Sequence, residues 1–387
     1  MHRLLACSSL VFSLGCTGEI VTRTPSENPL DPGPTAPTRL DCSGEQRLRV
    51  PLQRLNRRQV AQVWVDLFGA SGAMPETFPA TEPGSAFSTF PAANIVGDTG
   101  ITGMLEASET LALALTDGLP ACIGTGAAAE TACARAHLTT LTRRAFRRAA
   151  TAGELDLLLR VYAAARADST FSHREGLALA VEALVLMPQA LYLVEPTSNA
   201  APLTLTGHQV AARMGVLFGL GLPDAELAAA ASDGALLVPA TRRTHATRLL
   251  STDRGQRAIN QFVREWLGLE NFTASSTQFS AAVQAHLEEE LFRLVRDALA
   301  QPDGFRALMT SKRAYVNAAL EQFYGLPTEP KGPDGWRSAE VASRVGLLTH
   351  PLVMAHTAHG ADPSLILRGR FVRTALLCAD LPPRSEE

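Results

Sequence analysis

In the run LNRRQVAQVWVDLFG, the residues Val60, Val63, Trp64, Leu67 and Phe68 fall at i, i+3, i+4, i+7 and i+8. That spacing puts all five on one side of a helix, whereas a strand would divide them between two faces. Asn56 stands where a helix is capped and Gly69 where one stops. The same period returns in FSAAVQAHLEEELFRLVRDALAQ, where Leu287, Leu291, Leu294, Val295 and Ala298 share a face. It returns again in Leu155, Leu158, Leu159 and Tyr162. A helix is also predicted from about Thr102 to Leu115, and a pair broken near Gly153. REGLALAVEALVLMPQALYLVE is apolar almost throughout and predicts a buried helix that Pro188 bends or ends. Helix-turn-helix patterns follow between residues 204 and 270, and no run sustains period-2 alternation. The fold class expected is mainly α: an irregular multi-helix body in two helical halves with a short mixed C-terminal segment.

The N-terminus has a different character. MHRLLACSSLVFSLGC has a short basic opening, an apolar run from Leu4 to Leu14 and a small residue before Cys16. The run is about half the ~20 residues a bilayer-crossing helix requires, so it is expected to be an export signal. Ser13-Leu14-Gly15-Cys16 is similar to a lipoprotein cleavage site, with Cys16 as the lipid-bearing residue. Residues 16–50, rich in Pro, Gly, Ser and Thr, form the expected spacer between anchor and body. The expected organisation is therefore a signal peptide at 1–15, the spacer at 16–50, helical domains at 51–196 and 203–330, and a C-terminal connector at 331–387. The partner expected from the anchor is a membrane, and the location expected is the cell envelope, at the outer membrane or cell surface.

In an exported chain, disulfides persist. With Cys7 in the signal and Cys16 at the anchor, Cys42, Cys122, Cys133 and Cys378 remain, and four cysteines allow three pairings. Cys122 and Cys133 flank the short loop CIGTGAAAETAC, so a local bridge is expected there, leaving Cys42 for Cys378. The chain has no C-x-x-C, so neither a zinc ribbon nor a c-type haem attachment has its ligands within it. The net charge of −3 gives no field that would draw the protein to nucleic acid, and no nucleic-acid partner is expected.

Specific catalytic motifs are missing from the sequence. His350-x5-His356-x2-His359 places His356 and His359 at i, i+3, which on a helix is a metal-ligand spacing. Gly360, Asp362 and Pro363 end that helix at once, so the pair is only a weak metal candidate and no metal is expected. In Glu288-Glu289-Glu290, the first two face water off the Leu287/Leu291 stripe and Glu290 lies nearer the stripe. Arg143-Arg144-Ala145-Phe146-Arg147-Arg148 carries an aromatic among basic residues but is expected to be a solvated face or to pair internally. No G-x-S-x-G, G-x-G-x-x-G or phosphate-binding loop is present.

Seven segments occur in a recognisable order. They are RLNRRQVAQVWVDLFG, CARAHLTTLTRRAFRRAATAGELDLLLRVY, ALAVEALVLMPQALYLVE, LTGHQVAARMGVLFGLGLPDAELAAAA, FVREWLGLE, AYVNAALEQFYGLP and RVGLLTHPLVMAHTAHGADPSLILRGRFVRTALLCADLPP. In this order the chain, from about residue 50 to 383, resembles the secreted proteins of planctomycetes and myxobacteria built from planctomycete-specific domains of unknown function, some described as cytochrome-like. Arg368, Gly369, Phe371 and Arg373 keep the family's motif, and Cys378 is kept as well. Arg147-Arg148-Ala149-Ala150 departs from the family's Arg-Arg-Pro-Leu. The resemblance implies a further domain with a C-x-x-C-H haem attachment, and no such motif is in this sequence, so no cofactor is expected. The function expected is that of a lipid-anchored envelope protein that binds or assembles beside redox partners, with an envelope protein as partner. The alternative is a hydrolase of an extracellular polymer using carboxylates such as Glu290.

Overall fold

The computed structural model describes residues 53–69, 73–80, 87–122, 126–193, 204–219, 221–275 and 277–379. The signal, the spacer, Cys16 and Cys42 lie outside the described residues. Those residues belong to one unit, Val50–Glu387. The fold is mainly α, and its described strands form three short antiparallel pairs.

The strand β1 (Gln53–Arg54) leads into α1 (Arg57–Phe68). The Asn56 side chain accepts from the Gln59 N–H while the Gln59 side chain accepts from the Asn56 N–H, a reciprocal cap. Val60, Val63, Trp64 and Leu67 are buried as their spacing requires, and Trp64 meets Phe78 edge-on at 5.8 Å. Next come α2 (Asp98–Leu115), α3 (Ala127–Ala145), α4 (Ala152–Ala167) and α5 (His173–Leu186). The α3–α4 break lies ahead of Gly153, which sits in the first turn of α4. Arg147 takes a left-handed φ of 59° and Thr151 makes a capping box with Glu154, and together these set the boundary. Before Pro188 the backbone at Met187 is extended, so α5 ends and α6 (Pro188–Leu191) starts afresh. Strand β2 (Tyr192–Leu193) then pairs with β1. Leu111, Leu138, Leu158, Leu177 and Leu184 join Trp64 in the first apolar cluster.

Helices α7 (Gly207–Gly219), α8 (Ala225–Ser232) and α9 (Pro239–Leu250) enclose a small cluster around Leu227 and Leu236. Helices α10 (Asp253–Trp266) and α11 (Ala281–Leu299) open the third cluster. All five residues of the α11 stripe are buried, each contributing roughly 1.5–3 kcal/mol for the large aliphatics. The same cluster takes in α12 (Gly304–Thr310), the hairpin β3 (Arg313–Val316) with β4 (Arg337–Glu340), α13 (Ala318–Tyr324), α14 (Pro351–His356) and α15 (Leu365–Phe371). Two-residue strands β5 (Ala358–His359) and β6 (Asp362–Pro363) pair between α14 and α15. Gly346 has φ 59°, and a Cβ there would collide with the Met309 carbonyl, so only glycine fits that approach.

Polar contacts join α1 to the later helices. Arg58 reaches Glu265 at 2.6 Å and Glu270 at 2.5 Å, and Asp66 accepts from Arg254 and from the Leu222 N–H at 3.0 Å. Among the described residues no helix is long and apolar enough to cross a membrane.

Candidate functional site

The three C-terminal histidines are dispersed. α14 ends at His356, where the Thr357 N–H returns to Val353 and Ala355, and His359 sits in β5 ahead of Gly360 in the left-handed region. The expected helix through His359 is therefore three residues too long, and the pair has no shared helical face. His356 packs edge-on against Phe272 at 5.4 Å and near Phe371, and burial holds its pKa below the ordinary value. Phe371 is buried and anchors the segment, with Trp266 Nε1 donating to the Ala375 carbonyl at 2.8 Å. Arg368 is half-buried, Gly369, Arg370 and Arg373 are exposed, and so is Cys378. Leu365 and Ile366 are 84% and 83% exposed on α15, large apolar side chains turned to solvent.

His350 has a different environment. It caps α14, accepting the Leu352 N–H on Nδ1 at 3.2 Å, and is fully buried. An acceptor at Nδ1 puts the proton of the neutral ring on Nε2, which faces Glu290 Oε2 at 3.6 Å. Glu290 is also fully buried. It accepts from Tyr324 OH at 2.6 Å and from Arg344 Nη2 at 2.9 Å, and Arg344 donates in turn to the Tyr324 oxygen at 2.6 Å. Burial alone would raise the Glu290 pKa, but His350, Arg344 and Tyr324 outweigh it and the carboxyl titrates below its ordinary range. Burial dominates at His350 and keeps the imidazole neutral. Sequence reasoning put Glu290 near the stripe and named His350 only as one of three histidines; it missed Tyr324 and Arg344, whose only signal is a polar residue inside an apolar run. Held as an ion pair, this carboxyl has the wrong protonation state for a general acid. Glu288 and Glu289, expected to face water, pair with Arg264 at 2.6 Å and with Arg293 and Arg296 at 2.8 and 2.9 Å.

The basic segment pairs internally. Arg147, in the turn after α3, donates to the Gln189, Ala190 and Tyr192 carbonyls at 2.8, 3.3 and 2.7 Å. Burial pulls its pKa down to about 10, so it stays cationic near neutrality. Arg148 grips Glu154 with two bonds at 2.9 and 2.7 Å, which hold that carboxyl at about 2. These side chains wall a cavity of about 420 Å³ together with Phe146, Tyr192, His208 and Arg213. It is a concave, largely apolar pocket with a cationic edge, the kind of surface that accepts a small anionic or aromatic group.

The local disulfide joins Cys122 to Cys133 with Cα atoms 5.9 Å apart, while Cys42, the expected partner of Cys378, lies outside the described residues. His173, at the start of α5, brings Nε2 to 3.0 Å from Cys122 Sγ, and its Nδ1 meets Tyr162 OH at 2.7 Å. Burial, partly offset by Glu130, keeps His173 below the ordinary histidine range. His137, one turn beyond Cys133 on α3, is lowered by burial and by His173. Neither histidine was singled out from the sequence, because each lies in a helix whose period they do not interrupt.

Three domain models match the chain. PSD5, a protein of unknown function (DUF1595), covers residues 133–195. PSD4, a protein of unknown function (DUF1592), covers 205–326, and PSCyt3, a protein of unknown function (DUF1588), covers 344–387. Glu290 and Tyr324 fall in the PSD4 match and Arg344 and His350 in the PSCyt3 match, so the buried network joins two matched segments. No curated protein and no solved structure matches the chain.

Proposed function

We propose, since this chain belongs to the family of planctomycete-specific, cytochrome-associated domains, that it is an extracytoplasmic docking component working beside haem-carrying redox partners. In this reading Cys16 carries a lipid at the envelope and residues 16–50 let the helical body stand off the membrane. The observation that carries the reading is a coincidence of position. The PSCyt3 match at 344–387 contains α15, where Leu365 and Ile366 are exposed while Phe371 fixes the helix to the body. Adjacent exposed aliphatics on an anchored helix are a surface suited to a partner protein. The Cys122–Cys133 bridge supports an oxidising compartment. The test is capture from membranes after gentle crosslinking. Haem-staining proteins are expected with the native chain and lost with the double substitution Leu365→Ser, Ile366→Ser, while Cys16→Ser moves the protein into the soluble fraction. Recovery of the native protein alone refutes the reading.

A further inference from the structure

We propose that Cys122, Cys133 and His173, with His137 as a fourth donor, form a latent zinc-type site that opens when the Cys122–Cys133 disulfide is reduced. The two sulfurs and the His173 ring nitrogen already lie within 4.8 Å of one another. That is the separation at which one tetrahedral ion touches all three, once the sulfurs relax to bonds of about 2.3 Å and the nitrogen to about 2.0 Å. Thiolate and imidazole together favour a borderline-soft divalent ion such as zinc. The fourth position has a candidate on the same helix as Cys133, outside the three whose ligand atoms are already gathered. Cys133 and His137 are one turn apart on α3 and so share a face, and His137 Nε2 is buried with no hydrogen-bond partner among the described residues.

The surroundings resemble those of a metal ligand more than those of a spectator histidine. Tyr162 is 2% exposed and its hydroxyl lies at 2.7 Å from His173 Nδ1, fixing the ring with Nε2 aimed at Cys122 Sγ. An outer partner on the far nitrogen is the usual way a ligating imidazole is oriented. Both cysteines are partly exposed, and a cleft of about 470 Å³ lined by Ala121, Ser172, His173 and Glu175 opens at His173, giving an ion a path in. Cys122 itself holds φ 53°, a left-handed backbone that a non-glycine residue adopts at some cost.

The chemistry closes as two steps. A protein dithiol attacks the Cys122–Cys133 bond. Two electrons pass to these sulfurs, the dithiol becomes a disulfide, and its two protons end on Cys122 and Cys133. A divalent ion then displaces both protons and binds the two thiolates and the His173 nitrogen. Exchange with a protein disulfide runs the sequence backwards: two electrons from the thiolates and two protons from water pass to that disulfide, which becomes a dithiol, the Cys122–Cys133 bond re-forms and the ion is released.

The experiment uses the mature protein and Co²⁺ as a spectroscopic probe, with a phosphine as reductant so that no added thiol competes. The reduced protein is expected to bind one equivalent, with a thiolate-to-cobalt charge-transfer band and the intense visible bands of a tetrahedral ion, all bleached by Zn²⁺. The oxidised protein binds none. Tyr162→Phe, a change to a positioning residue, weakens affinity about 10-fold, and His173→Asn weakens it further and alters the visible bands. The proposal is overturned if the folded, reduced protein binds no Co²⁺, if the oxidised form binds it equally, or if His173→Asn leaves affinity and spectrum unchanged. Should reduction unfold the chain by far-ultraviolet circular dichroism, Zn²⁺ must restore the helical signal, and failure to do so equally refutes the site.

Discussion

At the scale of single residues, the strongest demand on the fold is the burial of Glu290. A carboxylate at 0% exposure is tolerated because Arg344, itself 1% exposed, and Tyr324 supply donors. Removing one partner leaves an uncompensated buried charge, so Arg344→Met is expected to cost about 3–5 kcal/mol in chemical denaturation. Replacing both as Glu290→Leu, Arg344→Met should recover most of that loss, and a double-mutant cycle measures the coupling. The same network sets the acid limit of stability. His350 and Glu290 are both depressed in the folded state, so the unfolded chain binds more protons and stability is lost as the pH is lowered. The loss begins below the ordinary histidine value of 6.5 and deepens below the ordinary glutamate value of 4.5. Melting temperatures followed across that range should fall for the native protein, and His350→Gln should flatten the upper part of the curve. In the sequence Glu290 already marked itself as a polar residue beside an apolar stripe. Its partners were illegible because Tyr324 and Arg344 lie 34 and 54 positions away, beyond the reach of periodicity.

At the scale of elements, legibility followed length. α1 and α11 each repeat their apolar spacing over several turns, and their buried faces are the ones the spacing names. β3 is too short for that: Ala314 and Val316 are buried and Arg313 is exposed, but a four-residue alternation does not stand out from chance. Helix ends depended on local chemistry. Thr151 with Glu154 and Asn56 with Gln59 are side-chain signatures that can be read in the sequence, while the left-handed turn at Arg147 has none. The cap at Asn56 is a testable case. Asn56→Ala removes the acceptor for the Gln59 N–H and the donor to Ser88 Oγ, and should lower stability by about 1 kcal/mol in urea titration with an unchanged slope.

At the scale of the whole molecule, the apolar periodicity established a helical body but not which helices share a core. Residues 344–371, short-looped and mixed in sequence, contribute Leu347, Leu352, Val353 and Phe371 to the cluster built on α11. Shared cores arise from tertiary packing, which a one-dimensional pattern does not encode. The contacts of α1 carry a consequence for the order of events in synthesis. Arg58 finds Glu265 only 207 positions later, and Asp66 finds Arg254 188 positions later. A chain that emerges from one end has its first helix formed long before the carboxylates and guanidinium that complete its polar edge exist. Over that interval the opening helix is held by its apolar face, and the part of its polar edge that needs Arg254, Glu265 and Glu270 stays open to water or to a carrier. Amide exchange in α1 should therefore run faster in a chain cut after residue 250 than in the complete one, although the described members of Trp64's apolar cluster all lie before residue 223.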